Sequence, residues 1–389
     1  MKILLAYIFF MLLLTRPVYA QDPQNNRLGV HVLDPSEINQ AAQFVNSNDK
    51  KWGYVVVPIR IDDRDFDKWQ SFFEQAAEIK VIPIIRLAMH ADNNGGWAIP
   101  TDDEIYYSAK FLNQMPWPIK QRYIIVFNEP NHAPEWGGQI NPAGYGERLN
   151  FAIDVFKNLN QDFFMLNAAL DWAAPNGPQT MRASTYLKSL LESKPELAAK
   201  IDGWNSHAYP NPAFSASPNS KSEMSISSYK KELEILSSFG RENIPIFITE
   251  TNWSHNNLSE DTRQSYWNTA WNNIWTEPQI QAITVWLLTA GEGPFTQFSL
   301  IKNGQPTELY KTITQLDRSS GNPQIAVPTI PTPTTTPKEA GESAKASSWF
   351  HFSGISNVFS WFKTIFSNTP PNDTSRVEFS NGAKLSVEI

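Results

Sequence analysis

Residues 123–130 read YIIVFNEP, an apolar run that ends abruptly at Glu129. A continuous apolar run of this length is typical of a strand buried on both faces, as strands of a parallel sheet are. Residues 245–253 read PIFITETNW and repeat the pattern, with Glu250 where the apolar run ends. Burying an unpaired carboxylate is costly. A glutamate at such a junction therefore indicates either a functional site or, more simply, a solvated loop residue or helix cap.

Short β-rich runs alternate with segments of helical periodicity from residue 27 to about 316. This alternation is the pattern of parallel βα units, and capping boxes such as Thr101 with Glu104 predict where helices begin. Eight units can be counted, which predicts a (β/α)8 TIM barrel of the α/β class. The predicted strands span residues 28–33, 54–59, 81–87, 123–127, 164–169, 203–208, 246–249 and 282–288.

The 389 residues divide into five predicted segments. Residues 1–20 have a basic start, an apolar run and small residues at the end, the pattern of a secretory signal peptide. The barrel domain is predicted over 21–320, followed by a Pro/Thr-rich linker over 321–347. Residues 348–366 place aromatic and aliphatic side chains at three- or four-residue steps, which predicts a short amphipathic aromatic helix. A polar tail, 367–389, ends the chain.

The signal peptide predicts an exported protein, either secreted or held at the cell surface. The aromatic segment at 348–366 has two interpretations: it lies on a membrane surface or docks on a partner, or it folds back onto the barrel. Asn252 begins an Asn-x-Ser sequon two residues from Glu250, where a glycan would obstruct a cleft. For that reason we favour bacterial export.

Composition argues against several classes of function. The formal net charge is -7 and no basic stripe is present, so nucleic acid is not an expected partner. The chain has no cysteine, which rules out disulfides and thiolate chemistry. Its six histidines are scattered, and neither His-x-His nor His-Glu-x-x-His occurs. A metal-dependent hydrolase is therefore disfavoured, and we expect neither a metal nor another cofactor.

The positions of Glu129 and Glu250 predict a specific chemistry. They end the fourth and seventh predicted strands, and active sites of parallel barrels lie at the end of the barrel where strands finish. Two carboxyl groups at that end can act on one substrate. Cleavage of a glycosidic bond needs such a pair, one group to protonate the leaving oxygen and the other to attack or stabilise the sugar cation.

Asn128-Glu129 and Glu250 resemble the motifs of the clan A glycoside hydrolases, retaining enzymes on (β/α)8 barrels. Members of that clan carry Asn-Glu at the end of strand four and a nucleophilic Glu at the end of strand seven. The resemblance covers roughly residues 27–316. It implies two-step hydrolysis of a β-linked oligo- or polysaccharide, with Glu129 as acid/base, Glu250 as nucleophile and Asn128 on the sugar 2-hydroxyl.

The same resemblance implies roles for four further residues. Arg60, which ends predicted strand two, is similar to the clan's arginine beside the nucleophile, and its charge would keep Glu250 ionised. His207 and Tyr209 are similar to a pair that follows strand six, where the tyrosine would hydrogen-bond the nucleophile. Trp286 is similar to the tryptophan that forms the floor of the sugar site.

Each of these residues also has a purely structural interpretation. Arg60 would pair with Asp62 or Asp63 on the surface. His207 would be a satisfied core histidine, and Trp286 would pack in the core, as most strand tryptophans do.

Further aromatic residues follow predicted strands, where βα loops determine substrate selectivity. Their indole rings could stack on pyranose faces or simply pack. This group comprises Trp97, Trp136, Trp172 and Trp253. His31, on predicted strand one, either lines the floor of the site or packs.

Two other functions fit the same motifs. One is a carbohydrate-binding or cell-surface scaffold barrel that has lost activity, although both glutamates are intact. The other is a transglycosylase, which forms the same intermediate and differs only in passing it to a sugar instead of water.

Overall fold

A computed structural model of the protein describes residues 26–91 and 96–326. The predicted signal peptide, most of the predicted linker, the aromatic segment at 348–366 and the polar tail at 367–389 lie outside the described residues. Within the described ranges, no helix is both long enough and apolar enough to cross a membrane.

Eight parallel strands form the wall of a barrel, with helices between them along the chain. The predicted (β/α)8 barrel is confirmed, and each predicted strand overlaps an observed one. The strands are β1 (Leu28–His31), β2 (Tyr54–Arg60), β3 (Ile82–Ala88), β4 (Arg122–Val126), β5 (Phe163–Leu166), β6 (Trp204–His207), β7 (Ile246–Thr251) and β8 (Ile280–Val285).

The barrel closes where β5 meets β6. The other neighbours pair continuously in the order β5-β4-β3-β2-β1-β8-β7-β6, whereas β5 and β6 share a parallel bridge between Leu166 and Gly203. Just beyond it, the backbone N–H of Asn205 donates to Oδ1 of Asn167 at 2.8 Å. A Cβ on Gly203 would lie 2.7 Å from the ring of Phe164, so this close approach of the strands requires glycine.

The helices that surround the wall bury their apolar faces against it. Thr101 and Glu104 form the predicted capping box at the start of the helix Asp102–Gln114. The helices are α1 (Ile38–Val45), α2 (Phe66–Glu78), α3 (Asp102–Gln114), α4 (Pro142–Leu159), α5 (Ala183–Ser193), α6 (Leu197–Lys200), α7 (Tyr229–Ser238), α8 (Glu260–Thr269) and α9 (Glu308–Thr314).

The barrel interior is filled with aromatic rings from alternating strand positions. Tyr54, Tyr123, Phe164 and Phe247 contact one another, with centroid separations such as 5.2 Å between Tyr123 and Phe247. These rings belong to a buried cluster with apolar residues of β3 and β8. Because this part of the interior is packed, polar side chains that point inward are found further along the strands.

The folded domain extends past the predicted boundary at residue 320. The N–H of Lys120 donates to the carbonyl of Gln324 at 2.8 Å, and Ile325 forms an antiparallel bridge with Ile119. Residues 321–326 therefore pack on the barrel instead of beginning the linker. The Pro/Thr-rich composition starts only after this segment, so composition placed the boundary a few residues too early.

A buried carboxyl group fastens α7 to the barrel. Glu232 accepts hydrogen bonds from the indole of Trp172, from the indole of Trp204 at 2.6 Å and from the hydroxyl of Ser206 at 3.1 Å. Burial is the largest effect on this group and raises the pKa of Glu232 to about 7. The three donors act in the opposite direction, because they favour the ionised form.

Replacing Glu232 with alanine is expected to lower the free energy of unfolding by about 3 kcal/mol or more, since each buried donor left unpaired costs about 1–3 kcal/mol. Glu234→Ala, an exposed change in the same helix, should cost less than about 1 kcal/mol. Denaturant titration measures both.

The folded native chain binds the Glu232 proton more tightly than the unfolded chain does. The free energy of unfolding should therefore fall as the pH rises from 4.5 to about 7. Glu232→Gln should weaken that dependence.

Candidate active site

Polar side chains converge at the end of the barrel where the strands finish. Glu129 follows β4, and Glu250 is the penultimate residue of β7. Two strands that lie three βα units apart along the chain therefore supply the two carboxyl groups. The other members of this cluster come from or follow β1, β3, β4, β6 and β8, and they are His31, Arg86, Asn128, His207, Tyr209 and Trp286.

Glu250 is held by two donors. Its Oε1 accepts from Nη1 of Arg86 at 3.0 Å, and its Oε2 accepts from the hydroxyl of Tyr209 at 2.9 Å. The predicted hydrogen bond from Tyr209 is therefore present. Burial has the largest effect and raises the pKa of Glu250 above its usual value, while His207, the Arg86 charge and the Tyr209 hydrogen bond oppose that effect. These contacts favour a carboxylate that is fixed in orientation.

Glu129 sits in a backbone turn with an unusual conformation. Phe127 has φ 75° and Glu129 has φ 29°, a region that costs most residues about 1–3 kcal/mol unless the surroundings enforce it. The surroundings do so here. His132 Nε2 lies 3.0 Å from Asp171 Oδ2, and Asn131 exchanges hydrogen bonds with the backbone of Asp171. The loop after β5 therefore clamps the turn that presents Glu129.

Glu129 is an acid with a raised pKa. Burial is the largest cause, the negative charge of Asp171 adds to it, and the pKa of Glu129 rises to about 7. Asp171 is thus the principal charged neighbour that raises the pKa of Glu129. At neutral pH both protonation states of Glu129 are accessible, as a group that alternately donates and accepts a proton requires.

His207 lies between the two carboxyl groups. Its Nδ1 is 2.7 Å from Oε1 of Glu129, and its Nε2 is 3.6 Å from Oε1 of Glu250. Burial lowers the pKa of His207, which favours a neutral ring. The imidazole is therefore hydrogen-bonded to Glu129 and lies next to Glu250, whereas an isolated core histidine would contact neither.

The arginine beside Glu250 is Arg86, and the prediction that Arg60 has this position is wrong. The Arg60 side chain is 59% exposed and forms a bidentate pair with Asp62, the structural interpretation considered above. The register explains the difference: β2 pairs Arg60 with Ala88, two residues past Arg86. Arg60 therefore emerges beyond the level at which Arg86 reaches the carboxylate.

Asn128 connects Arg86 to a third carboxyl group that the sequence did not single out. Its Oδ1 accepts from Arg86 at 2.8 Å, so its Nδ2 faces Glu135, 3.5 Å away. Burial and the nearby Glu129 raise the pKa of Glu135 to about 7. Three carboxyl groups thus lie near one another, yet within residues 26–91 and 96–326 no group of three His, Asp or Glu side chains is arranged to hold a metal ion.

His31 and Trp286 form the apolar side of the site. Their rings meet edge to face with centroids 4.5 Å apart. Trp286 is 6% exposed and precedes a cis peptide bond. His31 has Nδ1 3.0 Å from the carbonyl of Val32 and Nε2 3.8 Å from Oε1 of Glu250. His31 therefore borders Glu250, and the ring of Trp286 packs against His31.

The other predicted sugar-stacking tryptophans are largely buried. Trp136 and Trp253 are fully buried: Trp136 packs on Phe127 and Tyr145, and Trp253 packs on helix α8. Neither can stack on a sugar, so their assignment as substrate-binding residues is corrected to core packing. Trp97 is only partly buried and contacts the core with one part of its surface.

Asn252 has a structural role. It is fully buried, and its amide donates to the carbonyls of Trp286 and Phe298 at 2.8 and 3.2 Å. Its Oδ1 accepts from the indole of Trp267 at 3.0 Å. A buried side chain cannot carry a glycan, so the sequon at Asn252 does not favour bacterial export over another route.

No protein-family model and no curated protein sequence matches this chain. Solved structures do resemble it. A glucosidase from Croceicoccus marinus is similar over 77% of this chain and 68% of that chain, with a TM-score of 0.54 and 10% identity. A GH5_18 from Streptomyces cattleya in complex with GlcNAc is similar over 75% and 79%, with a TM-score of 0.52 and 13% identity.

A family 39 glycoside hydrolase from the gut symbiont Bacteroides cellulosilyticus WH2 is similar over 77% of this chain, with a TM-score of 0.51 and 14% identity. This chain spans 64% of the length of that protein. At such low identity the likeness establishes the fold alone. The protein therefore has the (β/α)8 barrel architecture on which these glycoside hydrolases are built.

Proposed function

We propose that this protein is a retaining glycoside hydrolase that cleaves a β-linked oligo- or polysaccharide, with Glu129 as acid/base and Glu250 as nucleophile. The observation that carries the proposal is the pair of strand-end carboxyl groups that face the two nitrogens of His207, at 2.7 Å for Glu129 and 3.6 Å for Glu250. Their surroundings differ in the sense the mechanism needs. Glu250 receives two fixed donors, whereas the pKa of Glu129 is raised to about 7.

In the first step Glu250 attacks the anomeric carbon as the bond to the leaving oxygen breaks. The proton of Glu129 moves to that oxygen, and the glycosyl group is now an ester of Glu250. This step removes the negative charge of Glu250, which lowers the pKa of Glu129. In the second step Glu129 takes a proton from water, the water oxygen bonds to the anomeric carbon, and the ester is cleaved.

His207 is a positioning residue in this mechanism. While Glu129 is protonated, it can donate to Nδ1 of the neutral imidazole, and the Nε2–H of that tautomer then points toward Glu250. When Glu129 is ionised, the other tautomer donates to it from Nδ1. The ring can thereby hold Glu129 in either half-reaction, whereas its Nε2–H faces Glu250 only while Glu129 is protonated. Asn128 is available for the sugar 2-hydroxyl.

The test is sugar release from a panel of β-linked glucans, xylans, mannans and galactans and of 4-nitrophenyl β-glycosides, with Glu250→Ala as the blank. We expect at least one substrate to be cleaved, and NMR to detect the β-anomer of the product first. An α-anomer formed first would mean inversion. Binding of a glycan by the unmutated chain without turnover would establish a binding barrel instead, and preferential transfer to added sugar would indicate a transglycosylase.

The two arginines make a matched pair of variants. Arg86→Met removes a donor from both Glu250 and Asn128, so kcat/KM for a 4-nitrophenyl glycoside should fall by about 10²-fold or more, as for loss of a charge-stabilising donor. Arg60→Met removes only the exposed pair with Asp62 and should leave kcat/KM within about twofold. Steady-state kinetics on both variants checks this. Equal losses would contradict the placement of Arg86 beside the nucleophile.

Export is part of the same proposal and rests on the sequence of residues 1–20. Secretion or display at the cell surface would bring the barrel to polymeric glycans. Contact of residues 348–366 with a membrane surface is likewise a proposal. Deleting residues 338–389 should release the protein from the membrane fraction, and unchanged partitioning would contradict the contact.

A further inference from the structure

A cavity of about 530 Å³ lies beside the proposed active site, between the loops that follow β5 and β6. This volume falls within the range of about 300–1,000 Å³ that small-molecule sites have. Its walls come from residues 172–176, the first residues of α5 and residues 222–224. Neither Glu129 nor Glu250 lines it, so it is separate from the carboxyl pair.

The cavity has one apolar and one polar wall. Trp172, Pro175 and Met224 supply apolar surface. The position of Trp172 is fixed, because its indole N–H is bonded to the buried Glu232. Trp172 is only 8% exposed, so the small part of its indole that lines the cavity, together with Pro175 and Met224, offers an apolar surface to the C–H face of a pyranose ring.

The polar wall offers hydrogen bonds without net charge. Arg182 and Glu223 line the cavity and form an ion pair at 3.6 Å. Ser184, in the first turn of α5, also lines the cavity and adds a hydroxyl group to this wall. Because the two charges balance, this wall suits the hydroxyl groups of a neutral sugar better than the carboxylate of a uronic acid.

The position of the cavity places it on the Glu129 side of the proposed active site. Trp172 directly follows Asp171, the residue that holds His132 in the turn of Glu129. The cavity is thus joined through that clamp to the proposed acid/base. The leaving group takes its proton from the acid, so it departs on the side of Glu129.

We propose that this cavity is a binding site for neutral sugar units of the leaving group, which makes the protein an enzyme of oligo- and polysaccharides. The proposal rests on the proposed glycoside hydrolase function and deepens it. Binding energy from sugars remote from the reacting bond then contributes to catalysis. Substrates with a sugar leaving group benefit, whereas an aryl leaving group lacks the hydroxyl groups that the polar wall would bind.

The test compares two variants. Ser184→Trp places an indole in the cavity from the start of α5, and Thr185→Trp is the matched control. Thr185 is exposed and does not line the cavity. With cello-, laminari-, manno- and xylo-oligosaccharides from disaccharide to hexasaccharide, we expect Ser184→Trp to lower kcat/KM about tenfold or more for the cleaved series. Hydrolysis of 4-nitrophenyl β-glycosides should stay within about twofold of the native value, and Thr185→Trp should alter neither.

Ser222→Trp, from the opposite wall, repeats the test if Ser184→Trp does not fold. Oligosaccharide kinetics equal to those of Thr185→Trp, in a variant with a native unfolding midpoint, would overturn the proposal while leaving the hydrolase function intact. If the native chain cleaves nothing, the hydrolase function fails instead. Calorimetric titration with the same oligosaccharides then tests the cavity, since Ser184→Trp should still weaken binding, and unchanged binding would overturn the proposal.

Discussion

Glu250→Ala is expected to lower kcat/KM for a 4-nitrophenyl β-glycoside by about 10⁴-fold or more, the order seen when other hydrolases lose their covalent nucleophile. The variant retains Glu129 as an acid, but no group remains that can form the glycosyl ester. Arg86 and Tyr209 then face an empty position and cannot replace a nucleophile. Steady-state kinetics measures the loss, with the thermal unfolding midpoint as the check on folding.

Azide identifies the role of each carboxyl group. In Glu250→Ala, azide can occupy the vacated space and attack the anomeric carbon directly, so a β-glycoside with a good leaving group should give an α-glycosyl azide. In Glu129→Ala, Glu250 still forms its ester, and azide then replaces water from the opposite face to give a β-glycosyl azide. NMR of the products distinguishes the two. A β-azide from Glu250→Ala would mean that Glu250 is not the nucleophile.

The strand positions of the two glutamates could be predicted because the residues before them allow few alternatives. Each glutamate ends a run so apolar that only a buried strand accommodates it, and parallel strands of a barrel finish at one end. The structure accordingly brings Glu129 and Glu250 to the same histidine. Tyr209 follows from the same reasoning, since it lies two residues after His207 at the end of β6.

The arginine was misassigned because sequence does not show the stagger between neighbouring strands. Arg60 and Arg86 both follow apolar strand residues, and only the observed register shows that Arg86 reaches Glu250. The sequence nevertheless contained a feature that distinguishes the two arginines. Arg86 lies inside the apolar run VIPIIRL at residues 81–87, and a charge inside a buried strand needs a partner, whereas Arg60 had acidic neighbours close by.

Loop tryptophans could not be assigned because their direction depends on how each loop folds. Trp136 follows a short turn that folds back onto Phe127, and Trp253 points into a cluster with Trp267 and Trp275. The large apolar area of an indole favours such burial. The position of a tryptophan in a βα loop therefore did not predict that its side chain is exposed. The clamp on Glu129 and the cavity beside it likewise depend on contacts between loops that no local pattern reveals.

Glu129→Gln is expected to lower kcat/KM about 10²- to 10⁴-fold for oligosaccharides, the contribution of a general acid, and far less for 2,4-dinitrophenyl glycosides. A dinitrophenolate leaves without protonation, whereas a sugar alkoxide does not. In the native enzyme Glu129 must carry its proton, and because burial raises the pKa of Glu129 to about 7, kcat/KM should fall as pH rises through about 7. The acid limb reflects ionisation of Glu250, whose pKa is raised above its usual value by burial.

The variant tests the assignment of the alkaline limb, because the amide introduced by Glu129→Gln has no proton to lose in this range and Glu135 has a similarly raised pKa of about 7. If Glu129 is the acid, the residual activity of Glu129→Gln toward oligosaccharides should no longer fall through pH 7. Glu135→Gln should keep that fall. The reverse result, with the limb lost in Glu135→Gln and kept in Glu129→Gln, would assign the proton to Glu135. The turn held by Asp171 would then serve only to position Glu129, and the acid would be the carboxyl group bonded to Asn128.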